Sequence, residues 1–99
     1  MMKLNHNQHH ELRREVRKFY RGAEIDLHVA RQAIIDMMNK GEVKLTTFIP
    51  FINHLVDEMI SSVTIADMER NGEETRLNFQ TIKQATKTYL LSYSMRRCR

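Results

Sequence analysis

Residues 49–66 have the sequence IPFINHLVDEMISSVTIA and form the longest apolar stripe of the chain. Their apolar side chains recur at intervals of three and four residues, the spacing that gathers side chains on one face of an α-helix. We predict that this stripe forms either the protein core or the seam with a second copy or another partner. The residues assigned to this core, dimer or partner surface are Ile49, Ile52, Leu55, Val56, Met59, Ile60 and Val63.

Helical spacing continues through nearly all of the remaining chain, whereas no strand-length window shows convincing alternation of polar and apolar residues. The sequence therefore predicts an all-α fold, a small bundle of three long helices plus an N-terminal basic helix. We expect one domain over residues 1–99, with residues 1–8 and 95–99 flexible. The predicted helices run from about 9 to 21, from about 23 to 40, onward from the Thr46-Thr47 pair, and from about 74 to 94.

Local signals set the expected ends of these helices. Gly22 and Gly41 follow the first two helices, where a glycine at positive φ is a common stop. Either threonine of the Thr46-Thr47 pair can cap the third helix, which leaves Pro50 in the first turn, where its missing N–H has no helical partner to lose. The sequence Arg70-Asn71-Gly72-Glu73 predicts a turn before the last helix, whose apolar face includes Leu77.

Chain length and composition indicate the expected oligomeric state and cellular location of the protein. A 99-residue domain buries only about 60 to 65% of the surface that its unfolded chain exposes. Dimerisation would hide further apolar surface, so we expect a homodimer. Cys98 is the only cysteine, and neither a secretory signal nor an apolar run of about 18 residues is present. We therefore expect a cytoplasmic protein without a membrane segment.

Charge is segregated along the chain. Residues 1–21 contain six bases and two acids, residues 22–74 contain ten acids and four bases, and residues 75–99 contain six bases and no acid. Such basic ends could bind a polyanion, or they could pair with the acidic centre within one chain or across a dimer.

The first helix carries the most concentrated positive charge. Arg13, Arg17 and Arg21 recur every four residues and so share one helical face, which Arg14 and Lys18 broaden. We predict that these five residues form a surface for a polyanion or for an acidic partner. A solvated helix face opposite the apolar residues is the alternative. The tail residues Arg96, Arg97 and Arg99 could add to a nucleic-acid surface.

Catalytic and metal-binding patterns are weak in this sequence. Asp57 and Glu58 are adjacent and so point about 100° apart on a helix, which is poor geometry for a shared acid–base task. The only glycines are Gly22, Gly41 and Gly72, so there is no glycine-rich phosphate loop. The histidines lack the thiolates and the spacing of a structural zinc site. We predict no enzymatic activity, no cofactor and no metal; the histidines are His6, His9, His10, His28 and His54.

One stretch resembles a known family. Residues 32–41 (QAIIDMMNKG) and 48–55 (FIPFINHL), within residues 30–58, are similar to the small enterobacterial biofilm-development family of the YmgB/AriR type, described as two-component-system connector proteins. In that family a helix ends at a glycine and a second amphipathic helix carries aliphatic residues before a leucine and an acid, matched here by Gly41, Leu55 and Glu58. Pro50 and the basic helix depart from the family pattern. The resemblance implies a dimeric helical regulator of a phosphorelay that controls biofilm, capsule and acid resistance, for which DNA binding has also been proposed.

Three functional hypotheses follow. The first is a non-enzymatic regulatory protein that binds a signalling or regulatory protein, as a connector in a two-component pathway of biofilm and stress response. The second is a nucleic-acid-binding regulator that uses the basic N-terminal helix. The third is an inhibitor of a host protein, of the kind that phages and plasmids encode.

Overall fold

The computed structural model describes residues 4–41, 44–74 and 79–97, and it confirms the all-α class. These residues form five helices and no strand. Leu77, Cys98 and Arg99 lie outside the described residues. The helices are α1 (His6–Phe19), α2 (Leu27–Asn39), α3 (Leu45–Ser61), α4 (Ile65–Glu74) and α5 (Phe79–Arg97).

Helix α1 begins earlier than the periodicity predicts, because its N-terminus has a complete capping box. The Asn5 side chain accepts a hydrogen bond from the Gln8 backbone N–H at 2.8 Å, and the Gln8 side chain accepts one from the Asn5 N–H at 3.1 Å. The cap satisfies two backbone donors that would otherwise lack partners. His6, His9 and His10 are therefore helical residues.

Helix α2 begins later than predicted. Asp26 is its N-cap and accepts a hydrogen bond from the Val29 N–H at 3.0 Å, so residues 23–26 form the connection from α1. The predicted glycine stops are confirmed: Gly22 has φ 84° after α1, and Gly41 has φ 140° after α2.

The third predicted helix is two helices in the structure. Helix α3 begins at Leu45 with Lys44 as its N-cap, so the prediction that Thr46 or Thr47 caps it is wrong, and Pro50 lies inside the helix instead of in its first turn. Helix α3 ends at Ser61, and α4 begins after Thr64, whose hydroxyl accepts a hydrogen bond from the Asp67 N–H at 3.0 Å. Arg70 to Glu73 lie within α4, so the predicted turn is also wrong.

Helix α5 is the central packing element. It packs against α1, α2 and α3, while α4 packs against α1. The core between these helices includes Tyr20, Ile34, Met59 and Tyr89, all fully buried. Within the part of the chain that the structure describes, no helix has the length and apolar content needed to cross a bilayer.

Candidate polyanion-binding surface

The residues predicted for a core, dimer or partner surface lie mostly inside a single chain. Five of them are buried in the core and make no surface for a partner: Ile52, Leu55, Val56, Met59 and Val63. Ile60 is half-buried against the same core, and Ile49 has 41% of its surface exposed. The stripe of α3 is therefore chiefly a core face, because α5 packs on it.

The five predicted bases, four on α1 and Arg21 just after its end, lie along one groove. Arg13, Arg14, Arg17, Lys18 and Arg21 all line a cleft of about 770 Å³ beside the start of α2. The α2 side contributes Asp26, Leu27, His28 and Arg31. We call this cleft the α1–α2 groove.

Little negative charge offsets the bases in this groove. Of the lining residues that the structure describes, Asp26 is the only acid, and that carboxylate already caps α2. Glu15 approaches Lys18, with 3.7 Å between the carboxylate oxygen and Nζ. Among the described residues Arg13, Arg14 and Arg17 have no ion pair. Arg13, Arg14 and Arg17 therefore give the groove a net positive field, which concave low-dielectric walls strengthen.

A second pocket adjoins the groove and shares His10, Arg13 and Arg31 with it. It has a volume of about 520 Å³ and lies where α1, α2 and α5 meet. Its remaining lining residues are His9, Tyr89, Tyr93, Arg96 and Arg97. We call it the tyrosine pocket.

Two arginines of the tyrosine pocket are arranged around Tyr93. The guanidinium carbons of Arg31 and Arg97 lie 5.8 Å and 5.4 Å from the centroid of the Tyr93 ring, within the range of cation–π attraction. Arg97 Nε also donates a hydrogen bond to the Tyr93 hydroxyl at 3.0 Å. Arg31 reaches the Tyr89 hydroxyl at 3.5 Å, at the limit of a hydrogen bond. The tyrosines thus restrict the positions of both guanidiniums.

His9 lies at the inner wall of this pocket. Its ring is 4.7 Å from the ring of Tyr89, centroid to centroid, and its Nε2 is buried without a hydrogen-bond partner. Burial, reinforced by Arg96 and then by His10, lowers the pKa of His9 below its ordinary value of 6.5. His9 is therefore mostly neutral at pH 7.

The other candidate residues lie apart from these cavities. His54 pairs with Glu58 on the exposed face of α3, with 3.1 Å between Nε2 and Oε1, whereas Asp57 pairs with Lys83 of α5 at 3.4 Å. The adjacent carboxylates therefore have different partners. Across residues 4–41, 44–74 and 79–97, no group of three or more His, Cys, Asp or Glu side chains could hold a metal ion.

Sequence reasoning identified the bases of α1 and proposed the tail arginines as their extension, and the structure brings Arg96 and Arg97 to the end of the α1 surface. It missed Arg31, which joins the two cavities. No local pattern marks this residue, because it is the only base between Arg21 and Lys40. The contacts that Tyr89 and Tyr93 make with Arg31 depend on the packing of α5 against α2, which local sequence spacing does not predict.

Comparison with known proteins finds no family model that matches the chain, and no match among curated proteins or solved structures. The resemblance to the biofilm-development family over residues 30–58 accordingly stays a prediction.

Proposed function

We propose that this protein binds nucleic acid, chiefly through the phosphate backbone, on the surface formed by the α1–α2 groove and the tyrosine pocket. The observation that carries the proposal is the convergence of bases from α1, α2, α5 and the α1–α2 connection on two adjoining cavities, whose described lining residues include one acid. The bases are Arg13, Arg14, Arg17, Lys18, Arg21, Arg31, Arg96 and Arg97.

The residue types favour phosphate over a general acidic surface. Seven of the eight bases are arginines, whose planar guanidinium can donate two parallel hydrogen bonds to one phosphate. Phosphate contacts position a strand without reading its sequence. We therefore expect binding with little sequence preference and with strong dependence on salt.

A titration with a fluorescently labelled single-stranded oligonucleotide tests the proposal. For about five phosphate contacts, affinity should fall roughly a hundredfold between about 50 and about 200 mM salt, because bound counterions are released from the strand. The double variant Arg14→Glu/Arg17→Glu should abolish binding at the lower salt concentration, since it places two carboxylates in the groove.

The matched control is Lys40→Glu/Lys44→Glu. Both lysines are exposed near the connection between α2 and α3, outside the two cavities. Each double variant changes the formal net charge from +4 to 0, because every replacement of a base by an acid removes two charges. The control should retain most of the wild-type affinity. Equal losses in the two variants would mean that net charge, and not this surface, governs binding.

A regulatory protein partner is the second candidate, in keeping with the connector hypothesis and with a homodimer. The observation that favours it is a set of exposed aliphatic side chains: Ile65 has 77% of its surface exposed, Val29 43% and Ile49 41%. Sedimentation of the protein alone measures self-association. Capture from nuclease-treated lysate, by wild type and by Ile65→Ser, separates a protein partner from one bridged by nucleic acid.

A further inference from the structure

The tyrosine pocket concentrates more positive charge than one backbone phosphate requires. Arg13 comes from α1, Arg31 from α2, and Arg96 and Arg97 from α5. In the described part of the chain none of these four arginines is paired with a carboxylate. Four like charges around one cavity repel one another, so an anion of high charge would stabilise the arrangement.

The pocket also presents donors that are already oriented. Since Arg97 uses Nε to reach the Tyr93 hydroxyl, its two terminal nitrogens remain for a ligand. Arg31 is held over the same ring from the α2 side. A guanidinium whose position is fixed before binding loses less conformational freedom when it binds an anion.

His9 adds a second observation on the same cavity. Its Nε2 is buried without a hydrogen-bond partner, although it belongs to a residue of the pocket wall. Buried polar atoms normally have partners, so the inner wall of the pocket is not fully hydrogen-bonded. Because Nε2 has no accessible surface, the imidazole must turn toward the cavity before it can bind a ligand oxygen.

We infer that the tyrosine pocket binds a phosphate monoester, through Arg13, Arg31, Arg96 and Arg97. A monoester carries close to two negative charges at neutral pH and three terminal oxygens, whereas a backbone phosphodiester carries one charge. The ligand is either the terminal phosphate of a nucleic-acid strand or a free phosphate. Binding of a strand end rests on the proposed function, because the phosphodiesters next to that end would lie in the α1–α2 groove. Binding of free phosphate in the pocket does not depend on the proposed function.

Single-stranded oligonucleotides of one sequence, with a 5′-phosphate, a 3′-phosphate or no terminal phosphate, distinguish these sources. The wild-type protein should bind one of the phosphorylated strands at least about tenfold more tightly than the unphosphorylated strand, because charge-assisted hydrogen bonds are lost with the terminal group. Equal affinities for all three strands would overturn the strand-end assignment.

Two variants localise the effect. Arg97→Gln should reduce the preference for the terminal phosphate to nearly one, and Tyr93→Phe should reduce it in part, because it removes the hydrogen bond that holds Arg97. Both positions lie on α5 near its end, and Arg97 is exposed, so that replacement leaves the core intact. Arg14→Gln, in the α1–α2 groove but outside the tyrosine pocket, should weaken all strands equally. A preference that survives Arg97→Gln contradicts the inference.

Inorganic phosphate separates failure of this site from failure of the proposed function. If no strand binds, the proposed function is wrong. Calorimetric titration with phosphate alone then tests whether the tyrosine pocket binds phosphate. Saturable binding that Arg97→Gln removes and Arg14→Gln retains supports a site for free phosphate. Absence of saturable binding in the wild-type protein overturns the site.

Discussion

At the scale of single residues, the Asn71 side chain connects α4 to backbone carbonyls at the end of α1. It lies in α4 and is fully buried, and its side-chain amide nitrogen donates hydrogen bonds to the carbonyl oxygens of Phe19 and Arg21 at 2.8 and 3.0 Å. The last carbonyls of a helix lack intrahelical donors, so Asn71 supplies donors at the end of α1. The interaction orders the segment that leads to Gly22 and the α1–α2 groove.

We expect Asn71→Ala to destabilise the protein by about 2 kcal/mol, because it removes the donors from the Phe19 carbonyl, whose hydrogen bond is buried, and from the Arg21 carbonyl, whose hydrogen bond is part-buried. Asn71→Asp should be more damaging, since a carboxylate would face two carbonyl oxygens at a buried position. Urea unfolding followed by circular dichroism measures both changes. Asn53→Ala, at an exposed position on α3, is the control and should change stability little. A neutral Asn71→Ala variant would show that these hydrogen bonds do not contribute.

Buried hydroxyls show how the core accepts polar residues. Thr86 donates to the Ile82 carbonyl at 2.6 Å, and because its only proton is used there, Tyr20 donates to Thr86 Oγ1 at 3.2 Å. Burial raises the pKa of Tyr20 to about 12, so the phenol stays protonated and remains a donor at neutral pH. Ser94 likewise donates to the carbonyl of Leu90, one turn earlier in α5, at 2.7 Å.

At the scale of elements, α3 contains an internal proline. Pro50 is the sixth residue of the helix, where an ordinary residue would donate its N–H to the carbonyl of Thr46. The helix lacks that hydrogen bond, and the proline ring disfavours the helical backbone before it. The helix persists because Ile52, Leu55, Val56 and Met59 bury its inner face, which illustrates tertiary packing overriding a local preference.

We expect Pro50→Ala to stabilise the protein by about 1 to 3 kcal/mol, because it restores an N–H donor and removes the ring from the helix interior. Thermal unfolding of the two proteins measures the change, with Asn53→Ala again as the exposed control on the same helix. The result also tests where α3 begins. If Thr46 or Thr47 were the N-cap, Pro50 would lie in the first turn, and its replacement would be neutral or slightly destabilising.

At the scale of the whole molecule, the helical class was predictable because apolar spacing repeats along most of the chain. The division into α3 and α4 was not, because the apolar spacing continues past Ser61, and because Asn71 resembles a turn residue although it binds the end of another helix. The cationic face of α1 followed from arginines four residues apart. The tyrosine pocket could not follow from local spacing, since it requires α5 to bring Tyr93 and Arg97 beside Arg31.

The packing of α5 also makes stability depend on pH. His9 faces bases from two helices, and besides burial the residues that lower its pKa are, in decreasing order, Arg96, His10, Arg13 and His6. In the unfolded chain a histidine has a pKa near 6.5. Below that pH the unfolded state binds a proton more readily at this position than the folded state does. Folding stability should therefore fall as pH falls from about 6.5 toward the folded-state pKa of His9. Above about pH 6.5, His9 should have little effect on stability.

We expect His9→Gln to lose less stability than the wild-type protein when pH is lowered from about 7.5 to about 5.5, because glutamine does not titrate. Urea unfolding at several pH values measures the difference in slope, and Asn53→Ala, which replaces an exposed uncharged residue of α3, should keep the wild-type slope. Saturating phosphate should also reduce the wild-type slope if it binds the tyrosine pocket, since an anion there offsets the repulsion between Arg96 and protonated His9. Identical slopes for the wild-type and His9→Gln proteins would contradict the electrostatic account of this pocket.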